Sequence, residues 1–138
     1  MPNTYTQLYT HFVFVVKNRI CLLSEKWSGQ LFQYMSGIAE HHGHKLYIAN
    51  GMSDHVHALI SINPNQSQSD LMYHLKRSTS LWINENKLTP GRFSWQEGFG
   101  AFSFSQSAVS NVCRYIERQQ EHHKIVRFRE EYISFLKE

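Results

Sequence analysis

"KLYIANGMSDHVHALISI", residues 45–62, holds two runs of aliphatic and β-branched residues separated by turn formers. Such a pattern reads as a β-hairpin. Lys45–Met52 makes the first strand, and Asn50-Gly51 and Ser53-Asp54 both have the chemistry of a reversal. In the second strand a period of two sets His55, His57, Leu59 and Ser61 on one face. Val56, Ala58, Ile60 and Ile62 fall on the other, which predicts an apolar core face and a more polar outer face.

Working upstream, "YTQLYTHFVFVV" (5–16) is rich in aromatic and β-branched residues and reads as a strand, closed by Lys17, Asn18 and Arg19. Ser24 before Glu25 starts a helix. Trp27, Leu31, Met35 or Tyr34, and Ile38 then recur at helical spacing until Gly43. Downstream, Asn63-Pro64 breaks the second hairpin strand. Ser67 with Asp70 resembles a capping box for the amphipathic helix "SDLMYHLKRSTSLWINENK", with Leu71, Met72, Leu75, Thr79, Trp82 and Ile83 on its buried side. Pro90-Gly91 marks a loop and 98–104 a further strand. A long helix is expected over 107–123 and a short tail helix over 128–138.

The order is β-α-β-β-α-β followed by two helices. It predicts one α+β domain over 1–138, with the ferredoxin-like (split β-α-β) antiparallel sheet. Helices cover one face of such a sheet, and the other is expected to stay available to nucleic acid or another copy.

At 138 residues, with 41% hydrophobic and 14% aromatic residues, the chain suits one folded domain. Cys21 and Cys113 make no disulfide framework or metal-type spacing, and no apolar run approaches the roughly 18 residues of a membrane span. A soluble cytoplasmic protein with no membrane partner is therefore expected. The formal charge of +3 permits a polyanionic partner without demanding one.

Seven of the nine histidines fall in clusters, at 41, 42 and 44, at 55 and 57, and at 122 and 123, and His55 and His57 carry the chemistry of most interest. Side chains at i and i+2 point the same way with Cα atoms about 6.5–7 Å apart. Both imidazoles could converge on one ion from a rigid strand, with Asp54 orienting one of them. A plain solvent-facing polar pair fits the same spacing. In "CRYIERQQEHH", Tyr115 and Gln119 lie one helical turn apart, beside the packing stripe of Val109, Val112 and Ile116. A tyrosine at the margin of the core, with Gln119 simply exposed, is the blander alternative.

Together "SDHVHALISI", "WQEGFGAFSFSQS" and "VCRYIERQQEHHK" resemble the single-tyrosine HUH transposases of insertion sequences that move as single-stranded DNA. HUH denotes His-hydrophobic-His, met here by His55-Val56-His57. The resemblance runs over nearly the whole chain. It implies a homodimer, with Tyr115 as nucleophile and His55, His57 and Gln119 binding a divalent ion, Mg2+ or Mn2+. In the family's dimers the tyrosine helix of one subunit meets the histidines of the other, a point this sequence leaves open. It further implies cleavage and rejoining of single-stranded DNA, at hairpin-bearing element ends, through a 5′-phosphotyrosine.

A tyrosine hydroxyl has a pKa near 10 and needs activation, which a cation on the scissile phosphate can assist. Rejoining draws on the covalent linkage, so no nucleotide cofactor is expected, and no Walker-type glycine loop occurs. Lys17, Arg19, Lys76, Arg77, Arg92 and Arg118 are expected phosphate neighbours, each with an ordinary surface alternative. Two other functions compete: a non-cleaving single-stranded nucleic-acid-binding relative of the same fold, and an unrelated metal-dependent hydrolase built on His55 and His57.

Overall fold

The computed structural model describes residues 8–104 and 108–118. Its elements are β1 (Tyr9–Val15), α1 (Glu25–His41), β2 (Lys45–Met52), β3 (His55–Ser61), α2 (Gln68–Glu85), β4 (Gly100–Phe104) and α3 (Val109–Glu117). The four strands form a sheet in the order β2-β3-β1-β4, with every neighbouring pair antiparallel. This is the expected ferredoxin-like topology, with β1 and β3 at the centre.

Local chemistry explains the elements. The Ser24 hydroxyl accepts from the Lys26 amide at 3.2 Å, and Ser67 accepts from Asp70 at 3.0 Å, so both helices begin at their side-chain caps. Trp27, Leu31, Met35 and Ala39 make the buried stripe of α1; Leu71, Met72, Leu75, Thr79 and Ile83 make that of α2. Gly43, at φ +82°, supplies the left-handed residue after α1. Trp82 lies half-buried at the margin of the α2 stripe, where it packs against the core and stacks on Tyr34 at 5.6 Å. The hairpin reverses at Ser53-Asp54, while Asn50-Gly51 stays within β2. β4 begins at Gly100, two residues later than the sequence pattern suggests, because Gly98 at φ +81° still belongs to the preceding turn.

One core lies between the sheet and helices α1 and α2. Phe12, Phe14, Val56, Ala58 and Ile60 meet Leu31, Met35, Leu71 and Leu75 there. A second cluster corrects the expectation of an open, polar sheet face. Tyr9 and Leu59 pack against Val112, Tyr115 and Ile116 of α3, so this face is covered too. His55 and His57 are accordingly 2% and 0% exposed. A period-two pattern cannot reveal this, because the covering helix comes from about 50 residues downstream. Gln119, the remainder of the expected 107–123 helix beyond Arg118, and the 128–138 tail lie outside the described residues.

Candidate active site on the covered sheet face

The pairing register assembles the site. β1 and β3 pair Val15 with His55, Val13 with His57 and His11 with Leu59. Cross-strand partners share a face, so His11 joins His55 and His57 on the α3 side, diagonal to His57. Diagonal neighbours lie about 7–8 Å apart, within the combined reach of two imidazoles. His11 Nε2 and His57 Nδ1 are in fact 2.8 Å apart, a hydrogen bond in a fully buried setting. His55 Nδ1 donates to Asp54 Oδ1 at 2.7 Å. The rings of His55 and His57 lie 5.1 Å apart between centroids.

The turn before His55 is fastened from two sides. The Val16 amide donates to the Asp54 carbonyl, and the Leu23 amide to the Ser53 carbonyl, both at 2.8 Å. Arg19 reaches the other carboxylate oxygen of Asp54 with Nε and Nη2, each at 3.2 Å. Asn18 and Arg19 both take the left-handed backbone region, at φ 60° and 55°, to turn the chain back toward this carboxylate. For a residue such as arginine that conformation costs about 1–2 kcal/mol, which the backbone hydrogen bonds of this turn and the ion pair to Asp54 offset.

Electrostatics follow the partners. The hydrogen bond from His55 holds the Asp54 carboxyl down from 3.8 to about 2, with the charges of His55 and Arg19 adding to it and burial opposing. Burial pushes the His11 imidazole down to about 3, which keeps the ring neutral.

α3 brings the phenol to this face. Tyr115 is 7% exposed, and its ring centroid lies 6.0 Å from His57 and 6.1 Å from His11. The phenol and imidazoles therefore meet within one chain. Asn50 on β2 donates from Nδ2 to the Glu117 carbonyl at 3.2 Å, holding the end of α3 against the sheet.

The imidazole pair suits a divalent cation. Both rings stand on one strand face, and each has its Nδ1 committed to a fixed hydrogen-bonding partner, so Nε2 is the nitrogen each would offer a metal. Among the described residues no group of three or more His, Cys, Asp and Glu side chains is placed to hold an ion.

Of the expected phosphate neighbours, Lys17, Arg19, Arg77, Arg92 and Arg118 are exposed. Lys76 is engaged with its own chain. Its ammonium donates to the Gln96 carbonyl at 2.7 Å and to the Gly98 carbonyl, and burial lowers its pKa while the Glu97 charge opposes. His11 is the residue that sequence reasoning passed over. Its only signal was a lone histidine in an otherwise apolar strand.

A family model described as IS200-like transposase matches residues 4–119. The ISDra2 transposase TnpA of Deinococcus radiodurans is 26% identical over 121 residues, covering 83% of this chain and 86% of its own. Two solved structures share the fold. A protein from Deinococcus radiodurans R1, provisionally assigned as a transposase, superposes with a TM-score of 0.68 at 22% identity, over 86% of this chain and 95% of its own. A REP-associated tyrosine transposase bound to a REP hairpin superposes with a TM-score of 0.66 at 13% identity, over 91% of this chain and 74% of its own.

Proposed function

The chain belongs to the IS200-like transposase family, and from that premise we propose that it cuts and rejoins single-stranded DNA with Tyr115 as nucleophile. The observation that carries this reading is the approach of the Tyr115 ring to within 6.0 Å of His57 on a shared, buried face. In the reaction the phenol oxygen bonds to phosphorus while the bond from phosphorus to the 3′ oxygen breaks. The phenol gives up its proton, and the 3′ oxygen takes one and leaves as a hydroxyl. The 5′-phosphotyrosine that remains conserves the linkage, so a second 3′ hydroxyl can displace it without a nucleotide cofactor.

A divalent ion, Mg2+ or Mn2+, bound by His55, His57 and Gln119 would polarise the phosphate and offset transition-state charge. The protein's own residues do the positioning. Asp54, itself held by Arg19, keeps the His55 proton on Nδ1. Asn50, the cross-strand partner of His57 on β2, holds the end of the tyrosine helix against the sheet. Nitrogen donors suit manganese better than magnesium, which prefers oxygen.

Hairpin-bearing single-stranded DNA is the proposed substrate, supported by the hairpin bound to the REP-associated structural relative. The exposed Lys17, Arg19, Arg77, Arg92 and Arg118 are the proposed phosphate contacts, and a homodimer is the proposed assembly. Incubation with short hairpin DNAs and Mn2+ should yield a covalent protein–DNA adduct. Tyr115→Phe should abolish the adduct while DNA binding stays within a few-fold. Cleavage by that variant at the wild-type rate would overturn the nucleophile assignment. Binding without any adduct in the wild type would favour the non-cleaving alternative.

A further inference from the structure

We propose that His11 is a positioning residue of the metal site: its Nε2 accepts the Nδ1 proton of His57 and so keeps the His57 lone pair on Nε2, the nitrogen that would coordinate a cation. The inference rests on the metal-binding reading above and names a residue that reading does not use. His11 lies on β1, diagonal to His57 across the β1–β3 pairing, with the two nitrogens 2.8 Å apart and both side chains fully buried.

Two nitrogens at that distance must share one proton, which leaves two arrangements. In the first, His11 donates from Nε2, and His57 receives the bond on the Nδ1 lone pair. A neutral His57 would then carry its own proton on Nε2 and could offer a metal neither nitrogen. In the second, His57 donates from Nδ1 to His11, and its Nε2 lone pair is available for coordination. Only the second arrangement is compatible with His57 as a ligand. It also assigns the His11 proton to Nδ1 and excludes His11 from the ligand set, because its Nε2 lone pair is already accepting.

The two metal-facing imidazoles are therefore oriented by unlike partners. Asp54, a carboxylate paired with Arg19, holds His55; a neutral imidazole holds His57. Hydrogen bonding to a ligand's second ring nitrogen fixes tautomer and ring angle, and losing such a partner typically weakens metal binding by about 10–100-fold. The fixed strand register makes this contact rigid.

Two measurements on the full chain test the proposal. Mn2+ titration by calorimetry should show His11→Phe, which keeps the ring volume but cannot accept, binding at least about 10-fold more weakly than wild type. His11→Gln, whose side-chain oxygen can stand in for Nε2, should restore affinity to within a few-fold. Equal affinity in wild type and His11→Phe would overturn the proposal, as would equal weakening by Phe and Gln. If wild type and His57→Ala bind Mn2+ alike, the metal site itself fails, which separates that outcome from a failure of the His11 role. Nitrogen-15 spectra of the histidine-labelled, metal-free wild type give an answer independent of variant folding. His57 should appear as the Nδ1–H tautomer, and an Nε2–H His57 would overturn the proposal.

Discussion

The side-chain amide of Asn50 donates to the backbone carbonyl of Glu117, which joins the turn-proximal half of β2 to the last turn of the tyrosine helix. The same Asn50 side chain accepts from the Gly51 amide at 2.9 Å, so its rotamer is set before α3 arrives. Carbonyls in the last turn of a helix lack partners within the helix, and Asn50 supplies one. Asn50→Ala should therefore loosen α3 without disturbing the sheet. A net loss of about 0.5–1.5 kcal/mol is expected for one such bond. Faster amide exchange confined to 109–118, with slower DNA cleavage, would be the signature; unchanged exchange there would count against the clamp.

Gly51 leaves no room for a side chain. A Cβ at this position would sit 2.2 Å from the His55 carbonyl oxygen and 3.0 Å from the Val56 Cα. Both are backbone atoms, so the strain cannot be relieved by a rotamer change. Gly51→Ala should push β2 away from β3 at the histidine pair, lowering the melting temperature and weakening Mn2+ binding together. Wild-type melting and wild-type metal affinity in this variant would contradict the close approach.

Asp54 makes an acid-sensitive contribution to stability. Its folded pKa, about 2, lies below the ordinary 3.8, so the folded state favours the ionised form. The stabilisation is full above the unfolded value and is lost as pH falls from about 4 toward 2. Asp54→Asn should therefore melt below wild type at pH 6, with the gap shrinking over that acid window. A gap that holds constant down to pH 2 would show that the carboxylate charge contributes nothing.

Tyr115 faces the histidines of its own chain, at 6.0 Å from His57. An equimolar mixture of Tyr115→Phe and His57→Ala proteins, allowed to exchange subunits, should then stay inactive in cleavage. No chain in the mixture carries both functional groups. Recovery of cleavage would mean that active sites form across two chains, with the tyrosine helix of one reaching the sheet of another.

Thr79 links α2 to the segment before β4. Its hydroxyl accepts from Trp95 Nε1 at 2.9 Å and donates to the Leu75 carbonyl at 2.6 Å. Thr79→Val keeps the shape but leaves the buried indole N–H without that acceptor, at a cost of about 1–3 kcal/mol. Chemical denaturation should show this loss, and an undiminished midpoint would mean the indole finds another partner.

Much of this architecture was legible in the chain. Ser24 and Ser67 announced both long helices, because a side-chain cap is a local bond between neighbours in sequence. The alternation through His55 and His57 announced a strand with both imidazoles on one face, because period two is a property of extended backbone. The spacing of Leu71, Leu75 and Thr79 marked the buried side of α2, whereas Trp82 found a stacking partner on α1 that no local spacing encodes. The reversal point stayed ambiguous between Asn50-Gly51 and Ser53-Asp54. The amide bonds from Val16 and Leu23, which come from distant segments, accompany the choice of the second.

What the sequence determined by itself was the order of the elements, the shared orientation of His55 and His57, and the motif set that resembles a transposase. Each depends on residues within a few positions of one another or on blocks in a fixed order. Tertiary structure alone decided that His11 would touch His57, that α3 would close the face presumed open, and that Lys76 would be engaged by the carbonyls of Gln96 and Gly98. Those contacts join residues 20 to more than 50 positions apart. Strand register and helix docking bring them together, and neither is written in the spacing of nearby side chains.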